Sequence, residues 1–231
     1  MAGDFSRVRV PKRYKRRVRI ISGEWRGRKL KAPEGLVTRP MLGRVREALF
    51  STLGDEVREA RVLDLFAGTG SLGFESLSRG ADHVRFVERD RRVGAVLTEN
   101  LETLGAKDRA QLRMGDALSP RMWEGEQWSL IFLDPPYPML REGDGRQKVL
   151  SATGRLLNEF LAPGGLVLLH TEPRSISEHD FARDVAVRRR DYGRTVLWYL
   201  RLAEAGAEAE ADADEVLPEG DSDDPGGDDW E

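Results

Sequence analysis

From Arg61 onward, short apolar runs alternate with longer stretches whose apolar residues recur every three or four positions. The runs Arg61–Leu65, His83–Glu88, Ala110–Met114, Trp128–Asp134 and Gly165–Thr171 are too short for helices and read as buried strands. Between them, Leu72–Arg79, Arg91–Leu104 and Arg146–Leu161 carry helical spacing. Alternation of this kind predicts an α/β fold, a mostly parallel sheet covered by helices on both faces. Two further strands, near Val185–Arg190 and Thr195–Leu202, are joined only by Asp191-Tyr192-Gly193. With no helix to carry a crossover, they predict an antiparallel hairpin at one edge, seven strands in all.

Upstream, Val45, Ala48, Leu49, Phe50 and Leu53 fall at helical spacing, with a start near Gly43 and a stop at Gly54. Before that helix, Val18-Arg19-Ile20-Ile21 and Trp25-Arg26-Gly27-Arg28-Lys29-Leu30 flank Ser22-Gly23-Glu24 and read as a short hairpin with basic side chains on one face. The chain thus divides into a basic arm (1–17), this hairpin (18–36), the α/β domain (37–202) and a tail (203–231).

Charge changes the picture. The formal net charge is only -3, yet residues 1–31 carry +10 and residues 203–231 carry -13. A neutral body with a basic head points to nucleic-acid phosphates as partner of the head. The tail, rich in Ala, Glu, Asp, Gly and Pro, is too poor in apolar residues to repay its ordering entropy and reads as disordered. No apolar run is long enough to span a membrane, and the basic start lacks the apolar stretch of a signal peptide. The absence of cysteine fits a reducing cytoplasm. Without thiolates, and with His83, His170 and His179 scattered, no metal site is expected.

The candidate chemistry sits at strand ends. Val62-Leu63-Asp64-Leu65-Phe66-Ala67-Gly68-Thr69-Gly70 is a strand running into a glycine-rich turn and a helix, the architecture that lets backbone approach a ligand closely. Asp64 lies inside the strand, where a carboxylate needs partners: either the loop amides or the amino group of a ligand. Glu88, followed by Arg89, ends the next strand, where an acid bonds ribose hydroxyls; it also reads as a solvated strand end. Asp116, followed by Ala117, ends the third and reads either as a reader of an adenine amine or as a local cap. Three acids at three successive strand ends outline an adenosine pocket with no place for a phosphate, which favours S-adenosylmethionine over NAD.

The fourth strand ends in Asp134-Pro135-Pro136-Tyr137. The prolines fix φ and hold the turn rigid, and Asp134 stays extended because a proline follows it. The strand should lie beside the first, where sheet order reverses and open α/β sheets bind ligands. The Asp134 carboxylate and the Pro135 carbonyl could accept the two N–H bonds of an aryl amine, with Tyr137 stacked on its ring. Residues 138–147, with Gly143 and Gly145, read as a lid or a plain loop.

These motifs resemble the class I amino-methyltransferases with Asp-Pro-Pro-Tyr, which act on exocyclic amines of adenine or guanine. The run from Arg19 to Leu30, with Arg39-Pro40 and Arg44-Val45-Arg46-Glu47-Ala48-Leu49-Phe50, is similar to the RsmD family, whose members methylate N2 of a guanine in small-subunit (16S) ribosomal RNA. The resemblance spans about residues 18–202. It implies a Rossmann-like fold, an S-adenosylmethionine site from Asp64 to Gly70 with Glu88 and Asp116, and the target base at Asp134 to Tyr137. It departs at Pro40-Met41-Leu42-Gly43, where many members carry Pro-Thr and an acid.

Arg19, Trp25, Arg26, Arg28, Lys29, Arg39 and Arg44 are the candidate RNA contacts. The substrate is expected to be 16S ribosomal RNA or the small subunit, in free or assembling form, and the protein a monomer. An adenine-N6 methyltransferase shares Asp-Pro-Pro-Tyr but needs a larger recognition region. A non-catalytic RNA-binding protein on the same scaffold would not need Asp64, Glu88 and Asp134 intact.

Overall fold

The computed structural model describes residues 18–33, 41–141 and 144–203. The basic arm, Arg39, Gly143 and the acidic residues from 204 onward lie outside the described residues.

The elements follow the expected order: α1 (Gly43–Leu53), β1 (Arg61–Leu65), α2 (Ser71–Ser78), β2 (His83–Glu88), α3 (Arg91–Leu104), β3 (Ala110–Met114), β4 (Trp128–Leu133), α4 (Tyr137–Arg141), α5 (Gly145–Arg155), β5 (Leu161–Thr171), β6 (Val185–Tyr192) and β7 (Thr195–Leu202). They build one seven-stranded sheet in the order β3-β2-β1-β4-β5-β7-β6. The first five strands run parallel, and β7 is antiparallel to both β5 and β6. Parallel strands need crossover connections: α2, α3 and α4 with α5 supply three of the four, and the one from β3 to β4 holds only a short turn at Pro120–Met122. The tight turn between β6 and β7 then makes β7 antiparallel to β6, and it enters the sheet antiparallel to β5.

Side chains alternate across the sheet. Val62, Phe86, Phe132, Leu168 and Tyr199 face α1, α2 and α3, whereas Leu65, Ile131, Leu133, Leu169 and Trp198 face the α5 side with Trp123 and Trp128. Over the central strands both faces are covered, as a parallel sheet requires, while the edge strands β3 and β6 stay partly exposed.

Four details differ from expectation. Strands β6 and β7 run on to the pair Tyr192↔Thr195, so the turn is Gly193-Arg194, with Gly193 at φ 60°. Residues 138–141, expected within a lid or loop, belong with Tyr137 to the short helix α4. Helix α5 ends in a π-turn over Leu156–Phe160, and β5 begins at Leu161 rather than Gly165. The N-terminal hairpin is reduced to a single antiparallel bridge, Arg19↔Lys29.

That last segment keeps three backbone hydrogen bonds between its arms, Ile20 to Arg28, Gly27 to Ile20 and Leu30 to Val18, and is fastened to the domain by helix α2. Glu75, fully buried, accepts the amides of Ile21 (2.7 Å) and Ser22 (3.0 Å). Ser78 accepts from Trp25 N–H through Oγ (2.9 Å) and from Glu24 N–H through its carbonyl (2.7 Å). Gly23 lies so close that a Cβ would sit 1.7 Å from the Ser78 carbonyl oxygen, which only glycine permits. Val18, Ile20, Trp25 and Leu30 thereby join the core under α1 and α2.

Candidate active site at the carboxyl edge of the sheet

The cofactor-side turn is built by acids that grip backbone. Asp64, 1% exposed, accepts the Gly73 amide at 2.9 Å, one of the amides at the start of α2 that no helical carbonyl can reach. Burial pushes its pKa well above the usual carboxylate range, the Gly73 amide opposes this, and the nearby Asp134 and Glu88 charges add to the rise. Through Oδ2, Asp64 thus fixes the first turn of α2. Glu88 also grips backbone: Oε2 accepts Gly68 N–H at 3.0 Å, and Oε1 accepts the Arg89 and Asp90 amides at 2.8 Å each.

Between them the chain turns sharply. Phe66 adopts φ 60°, a left-handed conformation rare outside glycine, and Gly70 adopts φ 80° as it caps α2. A Cβ on Gly70 would lie 2.5 Å from the Phe74 ring. Ala67 donates to the Val87 carbonyl at 3.0 Å, and the Thr69 carbonyl accepts from Asn100 Nδ2 at 3.3 Å. Asn100, which sequence reasoning misses, also exchanges hydrogen bonds with the Lys31 backbone (2.8 and 3.1 Å), tying the N-terminal segment to the glycine-rich turn. Asp116 is exposed and accepts the Leu118 amide at 3.0 Å, so it caps its own turn, and Ala117 is buried beneath it.

At the other side of the β1–β4 junction, Asp134 N–H reaches the Leu65 carbonyl at 3.4 Å, bringing the Asp-Pro-Pro-Tyr turn against the glycine-rich loop. Pro135 is buried, Pro136 is exposed, and the Pro136 carbonyl accepts from Met139 to start α4. The Asp134 carboxylate is held by His170, with Nδ1 and Oδ1 2.6 Å apart. The other ring nitrogen of His170 lies 3.2 Å from the Tyr137 hydroxyl, and the two rings meet edge-on at 5.6 Å. Burial would depress the His170 pKa, but the Asp134 charge and hydrogen bond, with Glu172, more than reverse this and raise it. Tyr137 is raised, first by burial and then by the Asp134 and Glu172 charges.

In the sequence His170 reads only as one of three scattered histidines. A stronger signal is present there: it is a polar residue at the carboxyl end of an apolar strand, the same position that marks Asp64 and Glu88.

The candidate RNA contacts divide. Arg19, Arg26, Arg28, Lys29 and Arg44 are exposed, Arg28 donating to the Thr103 carbonyl at 2.5 Å. Trp25 is a correction: it is 4% exposed, packed in the core, and covered by the Arg109 guanidinium 5.2 Å above its ring. An indole so placed anchors the segment and cannot stack on a base.

The family model described as "Conserved hypothetical protein 95" matches residues 18–201. This chain belongs to that family. It is 36% identical over 197 residues to "Ribosomal RNA small subunit methyltransferase D" of Escherichia coli (strain K12), covering 84% of this chain and 94% of the relative. It is 37% identical over 166 residues to "Putative rRNA methyltransferase YlbH" of Bacillus subtilis (strain 168), covering 71% and 83%. Among solved structures, "Putative methyltransferase yhhF from Escherichia coli" superposes with a TM-score of 0.68 at 35% identity, covering 81% of this chain and 99% of that one. The expected resemblance to the RsmD family and the expected class I methyltransferase fold are both borne out.

In this member of the conserved hypothetical protein 95 family, carboxylates line one crevice, and the glycine-rich turn itself carries no basic side chain. The ligand suited to such a set carries cationic and N–H or O–H donor groups, not phosphates.

Proposed function

We propose that this protein transfers the methyl group of S-adenosylmethionine to the exocyclic N2 of a guanine in small-subunit (16S) ribosomal RNA. The observation that carries the reading is the Asp134-Pro135-Pro136-Tyr137 turn at the end of β4, bonded to the end of β1 where strand order reverses, with Asp134 held by His170. The names of the relatives support ribosomal RNA as substrate, and that of the Escherichia coli relative RNA of the small subunit.

The residues fit the cofactor. A Cβ on Gly68, at φ 57°, would meet nothing nearer than the Phe66 carbonyl oxygen at 3.9 Å, so the loop is open above it. Glu88 is suited to the ribose hydroxyls and Asp116 to the adenine amine. Asp134 supplies negative potential toward a cation. When bound, S-adenosylmethionine supplies an electrophilic methyl group on a positively charged sulfur.

The chain's own residues then handle the amine. An aryl amine is a weak nucleophile because its lone pair is delocalised into the ring. His170 occupies Oδ1 of Asp134 and leaves the other oxygen for one N–H of the base. The Pro135 carbonyl takes the second N–H, so the lone pair points at the methyl group. Asp134 stabilises the positive charge that grows on nitrogen and is suited to receive the proton afterwards. Tyr137, anchored by His170, stacks on the base, an interaction worth about 1–3 kcal/mol at comparable sites.

Ribosomal RNA, free or in an assembling particle, is the macromolecular partner, and the cytoplasm is the compartment where the two would meet. Among the described residues, no helix is long and apolar enough to cross a membrane. The test is incubation of purified protein with methyl-labelled cofactor and unmodified 16S RNA or particles, followed by nucleoside digestion. Labelled N2-methylguanosine, lost in Asp134→Ala, is expected. Labelled N6-methyladenosine, or no label in nucleic acid, would overturn the assignment.

A further inference from the structure

The sheet edge beyond Tyr137 opens into a cleft of about 900 Å³ lined by the end of α4, the start of α5, the chain after β5, and β6 with its turn. Five arginines line it against two acids, Glu172 and Asp180, a surplus of +3. We propose that this cleft binds the phosphates of the RNA strand flanking the target guanine. The proposal deepens, and rests on, the reading of the protein as an RNA methyltransferase.

Position argues for it first. Arg141 lies one helical turn after Tyr137 on α4. Glu172 lies two residues after His170, and Arg194 sits in the turn that brings β7 back beside them. The cleft therefore begins where the target base would be held, at the distance of the next nucleotides of the same strand.

The internal chemistry is that of prepared anion donors. The Glu172 side chain, 9% exposed, takes Arg141 through two nitrogens (Nε at 2.6 Å) and has Arg194 at 3.9 Å. Asp180 takes Arg146 at 2.6 Å, and Arg189 pairs with Asp191 at 2.7 Å. Glu172, Asp180 and, just outside the lining, Asp191 fix three of the guanidinium groups and are themselves used up, which leaves a surplus of +2 with Asp191 counted. Arg174 forms no ion pair among the described residues, and Arg194 is 80% exposed. Arg174 also holds φ 66°, a left-handed conformation that non-glycine residues seldom adopt, on the loop that carries it into the cleft. Such outliers persist where the surroundings demand them, frequently at ligand sites. Guanidinium forks match phosphate oxygens, and a phosphate needs no base identity, so the cleft positions the strand and leaves selection to the target end.

The double variant Arg174→Ala/Arg194→Ala removes the two least committed cations. Methyl transfer to naked unmodified 16S RNA and to unmodified small-subunit particles is measured over a salt series, with cofactor affinity in parallel. The expected result is a KM for RNA about tenfold higher, with kcat and cofactor affinity unchanged. The slope of log affinity on log salt should be shallower by about 1 to 2, as for loss of two phosphate contacts. The control, Arg58→Ala/Lys107→Ala, removes two exposed cations that precede β1 and β3, at the amino edge of the sheet. An unchanged KM, or an equal change in the control, would overturn the proposal. An effect with particles but not with naked RNA would assign the cleft to a protein of the particle, which also overturns it. A wild-type protein that labels no RNA would instead bring down the functional reading itself.

Discussion

The two sides of the β1–β4 crevice carry acids in the same topological position and hold them in opposite ways. On the cofactor side, Asp64 and Glu88 are bonded to backbone amides of Gly73, Gly68, Arg89 and Asp90. On the target side, Asp134 is bonded to the side chain of His170. Backbone amides never titrate and are fixed by the fold, so the first arrangement is as rigid as the glycine turn itself. In the second arrangement both partners titrate, so the contact itself changes with pH; in the first only the acid does. One half of the site is made by the chain's path, the other by a pair of side chains meeting across two strands.

The two halves should separate most widely at Asp134. Asp134→Ala should lower kcat about 10²- to 10³-fold, the scale of removing one preorganised electrostatic partner of a transition state. Cofactor affinity, measured by calorimetry, should change far less; an equal loss of both would merge the two sides into one.

Gly70→Ala is the corresponding insult to the backbone-built side. The added Cβ meets the Phe74 ring and the left-handed φ is strained, so the protein should lose roughly 1–3 kcal/mol of stability. Cofactor binding should weaken with it, which thermal melts with and without cofactor would register.

His170→Gln isolates the side-chain half, because it leaves the backbone network alone. We expect a fall in kcat of about tenfold, somewhat below the range typical of general acid–base groups, and a flattened pH–rate profile. The sign for stability follows from the raised folded-state pKa of His170. Its contribution is fully present below the unfolded value of about 6.5. It is lost as pH rises through the folded value, so the melting difference between wild type and variant should narrow with rising pH. A difference that widened instead would contradict the charged pair.

The smallest effect is expected at Asp64→Asn. The amide oxygen still accepts from Gly73, and the buried charge is gone. Because burial raises the Asp64 pKa in the folded state, its contribution to stability is present below the unfolded value of about 3.9 and lost as pH rises through the folded one. The asparagine variant should therefore gain on wild type as pH climbs through that window, while cofactor affinity falls. Urea melts at several pH values would reveal the gain or its absence.

Much of this site is legible from residues alone because strand ends are legible. An apolar run stopping at an acid, or at Asp-Pro-Pro, marks the carboxyl edge of a parallel sheet, and Asp64, Glu88 and Asp134 stand out that way. His170 obeys the same rule, but its residue type hides it among the other histidines. Trp25 misleads for a different reason: an aromatic among cations looks like a base-stacking surface until a partner helix is known. Glu75 and Ser78, the residues that pull Trp25 inward, belong to a helix some fifty positions later. The same holds for the arginine cleft, whose members come from α4, α5, the loop after β5, β6 and a hairpin turn.

Periodicity and connection length are local properties of the chain, and they suffice for the alternation of elements. With that alternation come the parallel sheet, the antiparallel final hairpin and the crevice at the reversal of strand order. Which charges meet is a matter of packing. Pairing Asp134 with His170 needs the register of β4 on β5. Burying Trp25 needs α2 against the N-terminal segment, and gathering the arginines needs β6 and β7 beside β5. Each is a contact between residues far apart in the chain, governed by distance and burial, which no periodicity encodes.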